Sequence, residues 1–236
     1  MEIHKKIQNF LYPAKCIACE DYVAKGVSFC VSCFRQANSQ YNLNKCTTCG
    51  ETLEYDFDNS ICMKCIANPP FIDEFKFLFK YNEPIKKVMR KIKFSDQTQL
   101  LKIISKIIVN QSADFINGAD IILYVPMHKR RLKQRFFNQS ALLAKYIGAE
   151  TGKQILYKAL VKSKDTLRQT TLDKRARLKN IRNSFKVINR KTISNKKVLL
   201  VDDVSTTGAT LNECARVLKK AGAERVFCLT FAKTTL

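Results

Sequence analysis

Apolar and polar positions follow two different periods after residue 70. FKFLFKY at 75–81 alternates polar and apolar residues along much of its length, which is typical of a β-strand. TQLLKIISKIIVN at 98–110 instead repeats its apolar residues at helical spacing, and Ser95 or Asp96 is the expected cap of this helix. The two periods together predict a domain built from both strands and helices.

Three further apolar runs are short enough to be buried strands, and helical patterns lie among them. The strands are DIILYVP (120–126), KVLLVDDV (197–204) and ERVFCLTFAKT (224–234), and the helices are NQSALLAKYIGAETG (138–152) and ATLNECARVLKKAG (209–222). This succession predicts an α/β fold with a mainly parallel sheet and helices on both faces. In such sheets, ligands bind at the carboxyl ends of the strands.

Eight of the ten cysteines form C-x-x-C pairs before residue 66. The pairs are Cys16/Cys19, Cys30/Cys33, Cys46/Cys49 and Cys62/Cys65. Both thiolates of such a pair can reach one ion, and two pairs complete the tetrahedral four-sulfur shell of structural zinc. We therefore expect two structural zinc ions, bound either by successive pairs or in a crossed order. Buried free thiols or a redox dithiol explain the regular pairs less well, because this segment has a poor apolar core.

Charge divides the chain near the same point. Residues 1–70 carry seven Lys/Arg and seven Asp/Glu, whereas residues 71–236 carry 35 and 13, so the formal charge of +22 belongs to the second part. Together with NPP at 68–70, this predicts a zinc-binding domain over 1–70 and a larger domain over 71–236. The basic residues concentrate in KRRLKQR (129–135) and across 162–191, which favours a polyanionic partner over a merely solvated surface.

The sequence predicts a cytoplasmic chain without membrane insertion. No apolar run is long enough to span a bilayer, and MEIHKKIQNF lacks the apolar region of a signal peptide. Ten cysteines in a reducing compartment also favour metal ligation over disulfides.

A candidate ligand site follows the apolar residues 198–201. Asp202 and Asp203 come first, and a turn of small residues follows, made of Ser205, Thr206, Thr207, Gly208 and Thr210. Backbone N–H groups, hydroxyls and the N-terminus of the next helix make this turn suitable for a phosphate. The two carboxylates suit sugar hydroxyls or Mg²⁺, so a phosphorylated sugar fits the whole segment. An ordinary threonine cap would leave the paired acids unexplained.

VLLVDDVSTTGAT resembles the signature with which type I phosphoribosyltransferases bind 5-phosphoribosyl 1-pyrophosphate (PRPP). The resemblance implies that Asp202 and Asp203 hold the ribose hydroxyls, that Ser205 through Thr210 hold the 5-phosphate, and that Mg²⁺ accompanies PRPP. Basic side chains would then contact the pyrophosphate or a DNA phosphate, and the candidates are Arg130, Arg131 and Arg135. No catalytic residue is assigned, and Thr206 stands where purine-salvage relatives have an aspartate.

Longer segments narrow the resemblance to the ComF family of competence proteins. Besides the cysteine pairs, they are YNEPIKKVMRKIKFSD (81–96), VPMHKRRLKQRFFNQSALLA (125–144) and RQTTLDKRARLKNIRNSF (168–185). The family usually has R-G-F-N-Q where this chain has RFFNQ at 135–139. We therefore expect Phe136 to exclude a backbone conformation reserved for glycine and to narrow the adjoining pocket.

Three functional hypotheses follow. The resemblance implies handling of single-stranded DNA during natural transformation, with other DNA-uptake proteins as further partners. The basic stretches would contact phosphates, and exposed aromatic residues such as Phe136 or Phe137 would stack on bases, although core positions explain these two equally well. The alternatives are a phosphoribosyltransferase of unknown acceptor and a regulator that senses PRPP without turnover.

Overall fold

The computed structural model describes residues 13–38, 44–53, 60–95, 97–165 and 181–234. The helices in these ranges are α1 (Val31–Ala37), α2 (Met63–Ala67), α3 (Glu83–Phe94), α4 (Leu100–Asn117), α5 (Lys129–Arg135), α6 (Gln139–Thr151) and α7 (Ala209–Lys220). The strands are β1 (Glu74–Lys80), β2 (Ile121–Tyr124), β3 (Gln154–Ile155), β4 (Leu160–Lys162), β5 (Phe185–Val187), β6 (Lys197–Ser205) and β7 (Arg225–Lys233).

Five of these strands form one parallel sheet in the order β1-β7-β6-β2-β3. Strand β6 lies at its centre and is buried on both faces, which explains its nearly continuous apolar sequence. Leu199 and Val201 contribute to one apolar cluster, while Val198 and Leu200 contribute to another, because successive side chains of a strand point to opposite faces. The predicted α/β fold with a mainly parallel sheet is confirmed.

Helices cover both faces of the sheet. Helices α3, α4 and α6 supply side chains to the first cluster, and α7 supplies them to the second, where the antiparallel β4-β5 hairpin also packs. None of these helices, in the ranges that the structure describes, combines the length and apolarity needed to cross a membrane.

The expected start of the helix at 98–110 was wrong in one respect. Ser95 does not cap this helix: it follows the last residue of α3, and its N–H donates to the carbonyl of Lys91. Asp96 lies outside the described residues. The cap residue of α4 is Gln99, whose side chain makes no capping hydrogen bond.

The cysteine-rich segment packs against the edge strand β1. The ring of Phe79 lies 5.6 Å from that of Phe29 between centroids, and the N–H of Phe75 donates to the carbonyl of Thr47 at 2.6 Å. The first cysteine cluster even shares an apolar core with the sheet. The division into domains 1–70 and 71–236 therefore stays a prediction.

Candidate functional site

The eight paired cysteines form two separate clusters, each made of successive pairs. One holds Cys16, Cys19, Cys30 and Cys33, and the other holds Cys46, Cys49, Cys62 and Cys65. Within each cluster the four sulfurs lie within 4.8 Å of one another. This arrangement fits the tetrahedral four-thiolate shell of structural zinc and resolves the open question of pairing in favour of the sequential order.

The two clusters have the same local backbone. Cys16 N–H donates to the carbonyl of Asp21, and Cys46 N–H donates to that of Glu51, both at 2.8 Å. Burial and the neighbouring thiols raise the pKa of Cys33 and of Cys65 well above the ordinary cysteine range. Thiolates this close together would repel one another. A bound cation would balance their charge, as expected of a structural metal site.

A second feature is a cleft of about 150 Å³ at the carboxyl end of β6. Its lining residues come from six parts of the chain: Lys93 of α3, the segment Val125, Pro126, Met127 and His128 after β2, Arg131 and Arg135 of α5, Asn138, Gln139 and Ser140 at the start of α6, Lys162 of β4, and Asp202 and Asp203 of β6. The parallel topology brings these parts together, because the carboxyl ends of β2 and β6 lie side by side.

The two aspartates of the cleft have different partners. Asp203 forms an ion pair with Lys93, with 3.0 Å between Nζ and Oδ2. Asp202 accepts a hydrogen bond from the hydroxyl of Ser140 at 2.6 Å. Burial, followed by the charge of Asp203, raises the pKa of Asp202 to about 7. One carboxylate is therefore paired with a cation, while the other is close to its protonation midpoint at neutral pH.

The turn after β6 surrounds a smaller cavity of about 30 Å³. Its lining consists of Asp202, Val204, Ser205, Thr206, Gly208, Ala209, Thr210 and Leu211. Gly208 has φ +74°, a conformation that favours glycine, and it directly precedes α7. Thr207 lies outside this lining, and its hydroxyl accepts from the N–H of Ala209 at 3.4 Å. Because Asp202 lines both the cavity and the cleft, the two spaces are neighbours.

A buried hydroxyl in this turn has no hydrogen-bond partner among the described residues. It belongs to Ser205, which is 4% exposed. Buried polar groups are nearly always paired, so an unpaired donor beside a cavity is a position where a ligand oxygen would be stabilised.

The three predicted arginines do not form one group. Arg131 and Arg135 are four residues apart in α5 and both line the cleft. Arg130 points elsewhere: its side chain is 76% exposed and lies 3.6 Å from Asp165. Lys162 contributes a further cation to the cleft, and burial lowers its pKa. The basic residues predicted over 168–180 lie outside the described residues.

The expectation for Phe136 was wrong. Phe136 adopts φ +60° at the end of α5, the left-handed conformation that glycine favours, so the side chain does not exclude that backbone. Its ring is 91% exposed and does not line the cleft, and therefore it does not narrow it. Phe137, in contrast, packs partly buried against the core.

Lys93, His128, Ser140 and Lys162 are among the polar residues of the cleft that sequence reasoning missed. The first three lie inside the segments 81–96 and 125–144 that carry the family resemblance, and this was the available signal. Lys162 had no comparable pattern around it, since it appeared only as one of many basic residues between 162 and 191.

Two family models match separate parts of the chain. Residues 7–73 match the double zinc ribbon domain, and residues 142–234 match the phosphoribosyl transferase domain. This chain is 27% identical to competence protein F of Haemophilus influenzae, over 93% of this chain and 96% of the relative. The resemblance to ComF competence proteins is confirmed.

Other relatives share the same relationship. DNA utilization protein YhgH of Escherichia coli K12 is 28% identical over 92% of this chain and 96% of its own length. Competence protein ComFC of Streptococcus pneumoniae is 28% identical over 63% of both chains. Among solved structures, an allosteric regulatory enzyme of purine biosynthesis matches 56% of this chain and 25% of its own, with 22% identity and a TM-score of 0.40.

Proposed function

We propose that the protein binds PRPP with Mg²⁺ in the cleft beside β6 and handles single-stranded DNA on the adjoining basic surface, in the competence role that the names of its relatives suggest. The observation that carries the proposal is the pair of neighbouring spaces that share Asp202. One is lined by a hydroxyl-rich turn, and the other by both carboxylates and four cationic side chains.

The geometry supports a specific orientation of PRPP. The 5-phosphate would occupy the small cavity, where the hydroxyl of Ser205 and the N-terminus of α7 favour an anion. The ribose hydroxyls would donate to Asp202 and Asp203. The pyrophosphate would extend into the cleft toward Arg131 and Arg135, which stabilise negative charge.

The donor set near Asp202 also fits Mg²⁺, which prefers oxygen ligands and is bound in proteins through one or two carboxylates together with substrate phosphates. Asp202 would hold the ion, because Asp203 already has Lys93 as its cationic partner. When bound, Mg²⁺ would neutralise charge on the pyrophosphate.

Handling of DNA is supported by helix α5. It contains five basic residues in seven and, unusually for a helix of a folded domain, buries none of its side chains. Arg131 and Arg135 face the cleft, whereas Lys129, Arg130 and Lys133 are exposed. An exposed basic helix beside an anion-binding cleft is suited to the backbone of a single strand.

Phosphoribosyl transfer is a second candidate function, favoured by His128. This residue lines the cleft, and its Nδ1 lies 3.4 Å from Oδ1 of Asp165. A histidine next to a carboxylate is a common arrangement for a general base, which would take a proton from the attacking acceptor.

Isothermal titration with PRPP and Mg²⁺ tests the first part of the proposal. Wild-type protein should bind, and Asp202→Asn combined with Asp203→Asn should abolish binding, because neutral amides are weaker acceptors for the ribose hydroxyls. Asp114→Asn, an exposed carboxylate of α4, is the matched control and should bind like the wild type. Undiminished binding by the double variant would contradict the proposed site. Release of pyrophosphate with one particular base would support transfer.

Salt dependence tests the DNA part. Each phosphate contact on a single strand contributes roughly −0.7 to the slope of log affinity against log salt. Replacement of the basic residues of α5 by Ala should flatten the slope by the number of contacts made; these are Lys129, Arg130, Arg131, Lys133 and Arg135. Lys102→Ala with Lys106→Ala, on the exposed side of α4, should leave it unchanged. No DNA binding by the wild type at low salt would refute this part.

A further inference from the structure

Phe136 is the most exposed large apolar residue in the part of the chain that the structure describes, at 91%. Its ring therefore gains almost nothing from burial. A bulky residue with φ +60° is also a conformational outlier, because its Cβ crowds the backbone in the left-handed region. Neither packing nor backbone preference explains a phenylalanine here, and such strain is found most often at binding sites.

The surroundings of Phe136 alternate apolar and basic side chains. Arg131 and Arg135 are four residues apart and line the cleft, and the adjacent pair Leu132 and Phe136, also four residues apart, is exposed to solvent. The N–H of Phe136 donates to the carbonyl of Leu132 at 2.8 Å and so fixes the end of the helix. Helix α5 thus presents an apolar stripe directly beside a basic one.

A second exposed ring lies at the end of α3. Phe94 is 77% exposed and is the next residue after Lys93, which lines the cleft. Asp203 raises the pKa of Lys93, whereas the positive charge of Arg135 acts to lower it. The ends of α3 and α5 are therefore close enough for their charges to interact. The two most exposed phenylalanines of the described residues therefore each follow a cationic residue of the same cleft.

We infer that Phe136, with Phe94 as a second platform, stacks on nucleobases of single-stranded nucleic acid whose phosphates lie on the basic side chains of α5 and the cleft. This inference deepens the proposed handling of DNA and rests on it. A single strand offers what the surface lacks: flat apolar rings that alternate with negative charges. Stacking of this kind tolerates every base, because each has a π-face.

Binding of two oligonucleotides that differ only in their bases tests the inference. The first has roughly 16 thymidines, enough for a typical single-strand site, and the second has the same backbone with abasic residues. Phe136→Ala should weaken binding of the first by about 5-fold or more, as expected for loss of one stacked base. The same variant should bind the abasic strand as the wild type does. Phe94→Ala should show the same pattern with a smaller change.

Two further variants separate stacking from a structural role. Phe136→Tyr keeps an aromatic ring and should bind like the wild type. Phe136→Gly relieves the backbone strain, so its thermal unfolding midpoint should be no lower than that of the wild type while its DNA affinity falls as in Phe136→Ala. Ile188→Ala, which removes a 65% exposed side chain outside the cleft lining, is the control and should change neither property.

The outcomes distinguish the inference from the proposal beneath it. If the wild type binds neither oligonucleotide, the handling of DNA is refuted and stacking with it. If the wild type binds but Phe136→Ala binds the thymidine strand equally well, or weakens both strands alike, stacking alone is refuted. Sedimentation could instead show that Phe136→Ala dissociates a protein dimer while DNA binding is unchanged. This result would assign the surface to a protein contact and also refute stacking.

Discussion

The cysteine clusters and the cleft differ in where their polar groups point. In each cluster four sulfurs converge within 4.8 Å, a closed set with no position left for another ligand. In the cleft, carboxylates and cations from four parts of the chain line a shared space of about 150 Å³. A closed set stabilises the fold, whereas an open set stabilises a ligand, so variants of the two regions should separate stability from binding.

The largest effect is expected from removal of one cysteine ligand. Cys65→Ser leaves an incomplete shell in the second cluster, so metal analysis should find one zinc per chain instead of the two expected for the wild type. Because metal affinity contributes directly to folding, the free energy of unfolding should fall by about 3 kcal/mol or more in urea titrations.

Cys214→Ala is the control for this prediction. Cys214 is buried in the core of the sheet and belongs to neither cluster, so the zinc content should stay at the wild-type value. A wild-type protein that holds one zinc or fewer when fully metallated would contradict the interpretation of both clusters.

The next prediction concerns pH. Asp202 has a folded pKa of about 7, above its ordinary value of 3.8. The folded protein therefore retains a proton that the unfolded chain loses near pH 4, and the contribution of Asp202 to stability falls as pH rises from about 4 to 7. Asp202→Asn lacks this titration, so its stability relative to the wild type should be greater at pH 8 than at pH 5.

Urea titrations at both pH values would measure this difference. The cysteine clusters should respond in the opposite direction, since thiols must lose protons to bind metal and zinc is released on acidification. Asp114→Asn should show the same pH dependence as the wild type. If the stability of Asp202→Asn also equals that of the wild type at both pH values, folding does not raise the pKa of this carboxyl.

The sequence was sufficient to predict the main strands of the sheet but not the full set of residues that line the cleft. The periods of apolar residues were sufficient for β1, β2, β6 and β7, because buried parallel strands have continuous apolar runs. Helix α3 was missed although Ile85, Val88, Met89 and Ile92 follow helical spacing and are buried. The short strands β3, β4 and β5 have two or three residues each, too few for any period to be visible.

The candidate site divides in the same way. Asp202, Asp203 and the turn after them are contiguous, so one segment was enough to identify them. Lys93 and Ser140 reach the same carboxylates from 110 and 62 residues away in the sequence, and only the fold brings them together. The conformation of Phe136 depends on the end of α5, a helix whose composition predicted charge and not structure.

A third prediction concerns an ion pair inside the open cleft, Lys93 with Asp203. Both side chains are largely buried, at 23% and 14% exposure, so loss of one partner leaves an uncompensated charge. Lys93→Gln should lower the free energy of unfolding at pH 8 by about 2 kcal/mol, and the double variant with Asp203→Asn should recover part of it. Equal losses in the single and double variants would show that the pair is not coupled.

The smallest effect is expected at one position that is occupied by different residues in the two cysteine clusters. Glu20 and Gly50 occupy the same position after the second cysteine of their knuckles, with φ +70° and +69°. A Cβ at Gly50 would lie 2.8 Å from Cε1 of Phe77, so Gly50→Ala should destabilise the protein by at least about 1 kcal/mol through contact and backbone strain together.

Glu20 is exposed and its carboxylate pairs with Lys91 at 2.8 Å. Glu20→Gly removes strain and an exposed ion pair that contributes little, so the two effects oppose each other and the thermal midpoint should barely change. A large loss in Glu20→Gly would mean that Lys91 fastens the first cluster to α3 through this glutamate and not through the carbonyls of Ile17 and Ala18, to which its ammonium also donates.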